Sequence, residues 1–135
     1  MSVQTDKNVV SDLEFALVMA DAAPIRVAAH LRYDARDPFA VCVSFDAGGT
    51  EPIEWTFARE LLDQGLWQSA GEGDVQIWPG GGRVFLALRS PSGQAVLETP
   101  RQAIADFVAH SKQVVPAGSE SEYVDLDREL DALLS

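Results

Sequence analysis

The sequence predicts a single α+β domain in which antiparallel β-sheets pack against helices. Three observations support this fold class: hydrophobic and polar residues alternate through most of the first half, turn-forming residues separate these runs at hairpin length, and one long segment has helical spacing. The chain has 135 residues, 47% of them hydrophobic, which is enough to bury one core without disulfides or metals. We expect about seven strands and two main helices in the order ββββ-α-βββ-α, followed by a helical tail.

Four strands are predicted in the first half of the chain. Their hydrophobic side chains alternate over residues 13–19, 25–33, 39–45 and 53–57. The breaks between them carry turn-forming residues at positions 21–24, 34–38 and 47–50. Each run is rich in β-branched or aromatic side chains, which suits a pleated surface that is buried on one face.

A short helix and three further strands are predicted next. The helix covers residues 58–64, and Gly65 is expected to end it in a left-handed conformation. The strands cover residues 75–78, 84–89 and 95–98. The connections at 79–82 and 90–93 are rich in Gly and Pro and have hairpin length, which favours antiparallel pairing.

The second helix shows the clearest pattern. Thr99 is expected to cap it, with Pro100 at the first helical position and Gln102 completing a capping box. Pro116 is expected to end it. The spacing predicts one buried face, made by Ile104, Phe107, Val108, Ser111 and Val115.

The chain divides into a flexible N-terminus (1–10), one α+β domain (11–118) and an acidic tail (119–135). The tail holds six acidic residues and one basic residue. Its hydrophobic residues follow helical spacing: Tyr123, Leu126, Leu130, Leu133 and Leu134. Three interpretations of this tail stay open, namely a helix docked on the domain, a frayed end, and a segment that binds a partner protein.

The chain is strongly acidic, with 21 acidic residues, 10 basic residues and a net charge of −11. Charge of this sign repels nucleic acid and anionic membranes, so neither is expected as a partner. Cys42 is the single cysteine, which excludes an intramolecular disulfide. The longest apolar run, residues 15–20, is far shorter than the roughly 20 residues that cross a bilayer. We therefore expect a cytoplasmic protein without direct membrane insertion.

No catalytic or metal-binding motif is present in the sequence. His30 and His110 lie in different predicted elements, and Cys42 adds too little for a structural zinc site. The glycine-rich segments at 71–73 and 80–82 precede strands, so they are interpreted as turns and not as phosphate-binding loops. The sequence therefore predicts a protein that is not an enzyme and needs no cofactor or metal.

The candidate contact residues lie in two places, a polar loop and the acidic tail. Trp67 lies in the polar stretch 64–72, where an exposed tryptophan would anchor a protein contact, although tryptophan also serves in cores. The acid pairs Asp34/Asp37 and Glu72/Asp74 would suit a cation or acid–base chemistry, but they are interpreted as solvated loop carboxylates. The candidate partner-binding residues are Trp67, Glu72, Asp74, Tyr123, Leu126 and Leu130.

Four strings of the sequence resemble signatures of the SsgA-like proteins of sporulating actinobacteria. They lie at residues 31–41, 55–66, 71–79 and 88–93. Further matches continue through Pro100 and Phe107 to residues 115–120, so the resemblance covers nearly the whole domain. Within this family, the sequence is most similar to the SsgB branch.

The resemblance implies a role in cell division without catalysis. Proteins of the SsgB branch are understood to mark future septum sites during sporulation septation and to recruit or tether the tubulin-like GTPase FtsZ. They are understood to do so with an SsgA-like partner associated with the membrane. The family fold resembles the whirly architecture, which implies a homo-oligomer, most simply a trimer. The expected location is therefore the cytoplasm at the cell septum.

Two other functions stay open on the sequence. A whirly-like scaffold would bind single-stranded nucleic acid if its arginines formed a local basic groove. The arginines concerned are Arg26, Arg32, Arg83 and Arg89. An enzyme would need a pocket that gathers His30, Cys42 and a carboxylate.

Overall fold

The computed structural model describes residues 2–46, 51–71 and 73–134, except for the side chains of residues 125–127. These residues form one antiparallel sheet with three helices, which confirms the predicted α+β class. The strands are β1 (Ser2–Gln4), β2 (Asn8–Leu17), β3 (Ile25–Asp34), β4 (Ala40–Asp46), β5 (Ile53–Ala58), β6 (Val75–Gly80), β7 (Arg83–Ser90) and β8 (Gly93–Pro100). The helices are α1 (Arg59–Gly65), α2 (Arg101–Val114) and α3 (Glu120–Leu134).

The strands lie in the order β5-β4-β3-β2-β8-β7-β6, and β1 pairs with β2 outside this row. Two hairpin-connected halves therefore meet at β2 and β8. Their junction is short, because the paired positions there are Ala16 with Glu98 and Leu17 with Leu97. The sheet curls so that its inner face encloses one continuous core.

Alternation along each strand decides which side chains enter this core. In β3, Ala29, Leu31 and Tyr33 are each about 1% exposed, whereas Arg26 and Arg32 lie on the outer face. Helix α2 packs on the inner face and buries Ile104, Phe107, Val108 and Ser111 as its spacing predicted. Val115, the fifth predicted position, is also buried but lies just after the end of the helix. The inner face of the sheet and α2 thus share one hydrophobic core.

The N-terminal segment differs from its prediction as a flexible end. Ser2–Gln4 forms β1, and β2 begins at Asn8, several residues before the predicted start. Val9 is completely buried and lies opposite Tyr33 on β3. Ser11 is also buried and accepts a hydrogen bond from the Ser2 hydroxyl, so a polar residue occupies an inner position of this strand. The predicted turn at 47–50 lies outside the described residues.

The predicted cap of the second helix is wrong. Thr99 is the penultimate residue of β8, and its hydroxyl donates a hydrogen bond to the Glu14 carbonyl at 3.0 Å. The Gln102 side chain bonds to Asp106, one turn along the helix. Helix α2 therefore starts at Arg101 without a side-chain cap, because Thr99 joins β8 to β2 instead.

The role predicted for Gly65 is also wrong. Gly65 is the last residue of α1 and does not have a left-handed backbone. An added Cβ at this position would lie 2.3 Å from the Ile77 Cγ2 atom, which is far too close. Glycine is needed because α1 approaches β6 closely, and not because the chain turns there.

We predict that Gly65→Ala destabilises the domain by about 1–3 kcal/mol, because the added methyl group collides with the completely buried Ile77. Urea unfolding followed by circular dichroism measures this loss. The control is Gln64→Ala in the same turn, whose exposed side chain leaves the free energy of unfolding within about 0.5 kcal/mol of the wild type. Equal stability of both variants would contradict the close approach of α1 and β6.

Candidate protein-interaction surfaces

A buried arginine joins the helical elements on one side of the sheet. Arg59, the first residue of α1, is 3% exposed. Its Nη1 atom donates to the carbonyl oxygens of Ser111 at 3.1 Å and Val115 at 2.8 Å. Its Nη2 atom lies 3.2 Å from a carboxylate oxygen of Glu120, and its Cζ atom lies 4.8 Å from the centre of the Tyr33 ring. We call these five residues the Arg59 cluster.

The Arg59 cluster satisfies groups that a helix end leaves free. Carbonyl groups in the last turn of a helix have no partner within the helix, and a cation there interacts favourably with the helix dipole. The Arg59 guanidinium supplies both the donors and the charge at the end of α2. The same cation binds Glu120, the first residue of α3, so a single side chain fixes both helices.

The ionisation of two residues reflects this burial. Burial raises the pKa of the Tyr33 hydroxyl to about 12, although the nearby Arg59 cation acts in the opposite direction. Burial also acts to raise the pKa of Glu120. The hydrogen bonds from its own backbone N–H, from Arg59 and from the Gly118 N–H outweigh burial, so the pKa of Glu120 is lower than usual.

Helix α3 is anchored at its start and open at its far end. Glu120 binds Arg59, and Tyr123 packs against the hydrophobic core. By contrast, Leu130 is 48%, Leu133 80% and Leu134 84% exposed. The side chain of the candidate residue Leu126 lies outside the described residues. The tail thus combines a docked first turn with an apolar stripe that the described domain leaves uncovered.

A second exposed surface surrounds Trp67, which follows α1. The Trp67 side chain is 73% exposed, as expected for a contact residue. The Arg101 guanidinium lies over the indole ring, with Cζ 4.1 Å from its centre. Arg101 is itself held by a hydrogen bond from Nε to the Leu66 carbonyl at 2.7 Å. We call Trp67 and Arg101 the Trp67 patch.

The structure describes one of the two candidate residues in the 71–74 loop. Glu72 lies outside the described residues. The Asp74 side chain is exposed, and its carbonyl oxygen accepts a hydrogen bond from the Arg89 N–H at 2.9 Å. Asp74 therefore ties the loop to β7.

The Trp67 patch and α3 are two separate surfaces. Arg101 lies at the start of α2 and Glu120 lies near its end, so the length of α2, roughly 20 Å, separates them.

Three arginines on the outer face of the sheet have acidic neighbours. Arg26 lies 3.7 Å from Glu14, Arg32 lies 3.2 Å from Glu54, and Arg83 lies 3.2 Å from Glu98. His30 lies between Asp12 and Asp46, with ring nitrogens at 2.6 Å and 3.2 Å from their carboxylate oxygens. The hydrogen bonds to Asp12 and then Asp46 raise the pKa of His30. Three of the four arginines needed for a basic groove are therefore neutralised locally.

His30 and Cys42 contact different side chains on this face. His30 contacts two carboxylates, whereas Cys42 receives a hydrogen bond from Arg32 at 3.3 Å. Within the described ranges, no three His, Cys, Asp or Glu side chains gather as a metal site. Over the same ranges, no helix is long and apolar enough to cross a membrane.

We predict that Glu120→Gln lowers the free energy of unfolding at neutral pH by about 1–3 kcal/mol, because buried Arg59 loses its countercharge. The pKa of Glu120 is lower in the folded chain. Its stabilising effect is therefore complete above the usual carboxyl pKa of 4.5 and is lost as pH falls through the folded value. Urea unfolding over a pH series should show the difference between wild type and variant shrinking in acid.

The matched control for this experiment is Glu122→Gln, which removes an exposed acid from the same turn of α3. Its effect is expected to stay within about 0.5 kcal/mol at every pH. An effect equal to that of Glu120→Gln, or a wild-type difference that does not change with pH, would contradict the anchoring role of Glu120.

Comparisons with known proteins place the chain in a family. Residues 27–120 match the family model described as Streptomyces sporulation and cell division protein, SsgA. The sporulation-specific cell division protein SsgB of Frankia casuarinae is 44% identical, and the alignment covers 99% of this chain and 96% of the relative.

Two solved structures share the fold. The SsgB structure from Streptomyces coelicolor has a TM-score of 0.82 at 38% identity, covering 91% of this chain and 97% of that one. The SsgA-like sporulation-specific cell division protein from Thermobifida fusca has a TM-score of 0.86 at 37% identity, covering 96% of this chain and 98% of that one. Family model, sequence and fold agree along most of the chain, and this protein therefore belongs to the SsgA family of sporulation and cell division proteins, in its SsgB branch.

Proposed function

We propose that this protein acts in sporulation septation as a non-catalytic recruiter, which marks septum sites and binds FtsZ there. Its relatives carry the name sporulation-specific cell division protein. Mutations in SsgB of Streptomyces coelicolor correlate with longitudinal cell division during sporulation. The observation that carries the proposal for this chain is the exposed, preorganised Trp67 patch.

The Trp67 patch has the properties of a binding hot spot. Tryptophan supplies a large contact area, and such residues contribute most of the binding energy of many interfaces. The Arg101 guanidinium stacks on one face of the indole and is fixed by the Leu66 carbonyl. A side chain that is already ordered loses little entropy on binding, so this contact is favoured over that of a free surface tryptophan.

Helix α3 offers the second contact. Leu130, Leu133 and Leu134 of this helix are exposed, and its sequence is rich in acidic residues. An amphipathic helix of this kind binds an apolar groove, and its charge favours a groove with a basic rim. The Arg59 cluster keeps the start of the helix on the domain, while Leu133 and Leu134 at the far end are exposed.

We further propose that the chain forms a homotrimer in the cytoplasm, located at the septum through an SsgA-like partner at the membrane. Three copies would present three Trp67 patches and three tail helices to one FtsZ polymer. Linked weak sites give an overall affinity far above that of one site. Recruitment then needs no single tight contact and no catalytic step.

A nucleic-acid-binding function has less support. Arg26, Arg32 and Arg83 each lie within reach of a carboxylate, so their charges are offset before a phosphate arrives. The total charge of −11 adds long-range repulsion. Protein contact therefore remains the better explanation of the exposed surfaces.

We predict that the wild-type protein cosediments with FtsZ polymers assembled with GTP from a sporulating actinobacterium, and that Trp67→Ala weakens this binding by about tenfold or more. The matched control is Phe39→Ala, which removes another exposed aromatic side chain, 52% accessible, and should bind as the wild type does. If folded wild-type protein stays in the supernatant, the proposed recruitment is wrong. If Trp67→Ala binds normally, the Trp67 patch is not the contact.

We also predict that light scattering after size exclusion gives three times the chain mass of 14.6 kDa. A chain shortened after Val124 keeps Glu120 and Tyr123, so its domain should stay folded and trimeric. A monomeric full-length protein would contradict the trimer. A monomeric shortened chain would show that α3 holds the copies together and is not free to bind FtsZ.

A further inference from the structure

The backbone groups at the two edges of the sheet differ in whether they have hydrogen-bond partners. At β6, the outward-facing backbone of Ile77 is occupied, because its N–H and C=O both bond to Ala70 at 3.0 Å and 2.8 Å. Pro79 has no N–H to offer on the same edge. At the opposite edge, β5 is the last strand in the row, and no described strand lies beyond it.

The register shows which groups of β5 are free. The Arg59 N–H bonds to the Phe39 carbonyl at 2.8 Å, so this position is a hydrogen-bonded pair of the β4–β5 ladder. Such pairs alternate along an antiparallel ladder, so Phe57 and Trp55 also direct their backbone groups toward β4. Glu54 precedes Trp55, and Thr56 lies between Trp55 and Phe57. By the same alternation, Glu54 and Thr56 direct their N–H and C=O groups away from the sheet.

The inner face beside this edge carries a groove among the residues that the structure describes. Helix α2 packs against β2, β7 and β8, and the groove, of about 350 Å³, lies on the same face. Ile53 and Trp55 line it on the β5 side, together with Phe45 and Val27. Ile53 is 52% exposed although its side chain points to the inner face. A free edge and an uncovered apolar wall therefore meet on one strand.

We propose that β5 is a strand-addition site for an extended segment of a partner protein with apolar side chains at alternate positions. The segment pairs with the backbone of Glu54 and Thr56 and extends the sheet by one strand. Every second side chain of the segment then lies next to Ile53 and Trp55 at the groove. Backbone pairing supplies affinity in this mode of recognition, and the apolar wall supplies selectivity.

Charge further defines the segment. Asp46, Glu51 and Glu54 lie around the start of β5 and are exposed. Asp46 contacts His30 and Glu54 contacts Arg32, so the three acids still outnumber the two bases beside them. A segment with lysine or arginine at its ends matches this acidic excess. The pairing chemistry applies to any partner with such a segment, whether or not that partner is FtsZ.

The test uses the full chain and a defined peptide of eight residues, in which valine and threonine alternate between one lysine at each end. Titration followed by NMR is expected to show saturable binding. The exchange of the Glu54 and Thr56 amides with solvent should slow by about tenfold, while the Ile77 amide, already bonded at the other edge, does not change. No binding at millimolar peptide overturns the proposal.

Two variants distinguish strand addition at β5 from a ligand held only by the groove and from an interface between copies of the chain. Thr56→Pro removes an outward N–H without breaking the β4–β5 ladder and should weaken peptide binding by about tenfold. Thr56→Val keeps that N–H and should bind as the wild type does. Peptide binding that survives Thr56→Pro overturns the proposal in favour of a ligand held by the groove alone. A fall in the oligomeric mass of Thr56→Pro overturns it in favour of an interface between copies.

Discussion

The buried charge of Arg59 is the interaction on which the helical side of the molecule depends. A single guanidinium contacts the end of α2, the start of α3 and the face of the Tyr33 ring. A buried cation without a partner is very costly, so Glu120 cannot leave this position freely. The position of α3 is therefore a consequence of electrostatics at its first turn, and the exposed Leu130, Leu133 and Leu134 contribute little packing to the domain.

The residues that stabilise the core differ from the residues proposed to contact a partner protein. The core is completed by the inner face of the sheet and by α2, so Trp67 and the far half of α3 are not needed to hold the fold together. Exposed apolar groups of this size are candidate surfaces for contact with other molecules. The chain thus combines one packed domain with candidate contact groups near both ends of α2.

The sequence predicts the fold well in those elements where the hydrophobic residues are also the buried ones. Strand β3 and helix α2 were predictable, because each buries one regular apolar face. The start of β2 was not, because the inner position of Ser11 is polar and breaks the alternation. Gly65 was misassigned, since its collision partner Ile77 comes from another element.

The candidate surfaces were predictable to a similar degree. The exposure of Trp67 follows from the polar stretch around it, but its stacking with Arg101 needed the close approach of α1 and α2 in space. The pairing of Arg59 with an acid was foreseeable as a type of interaction, yet no local signal identifies Glu120.

The most direct test of the recruiting role is a hydrogen-exchange footprint of the wild-type protein on FtsZ polymers. The account predicts protection around Trp67 and along the far half of α3, with the outer face at His30 unchanged; protection at His30 alone, or none anywhere, would contradict it.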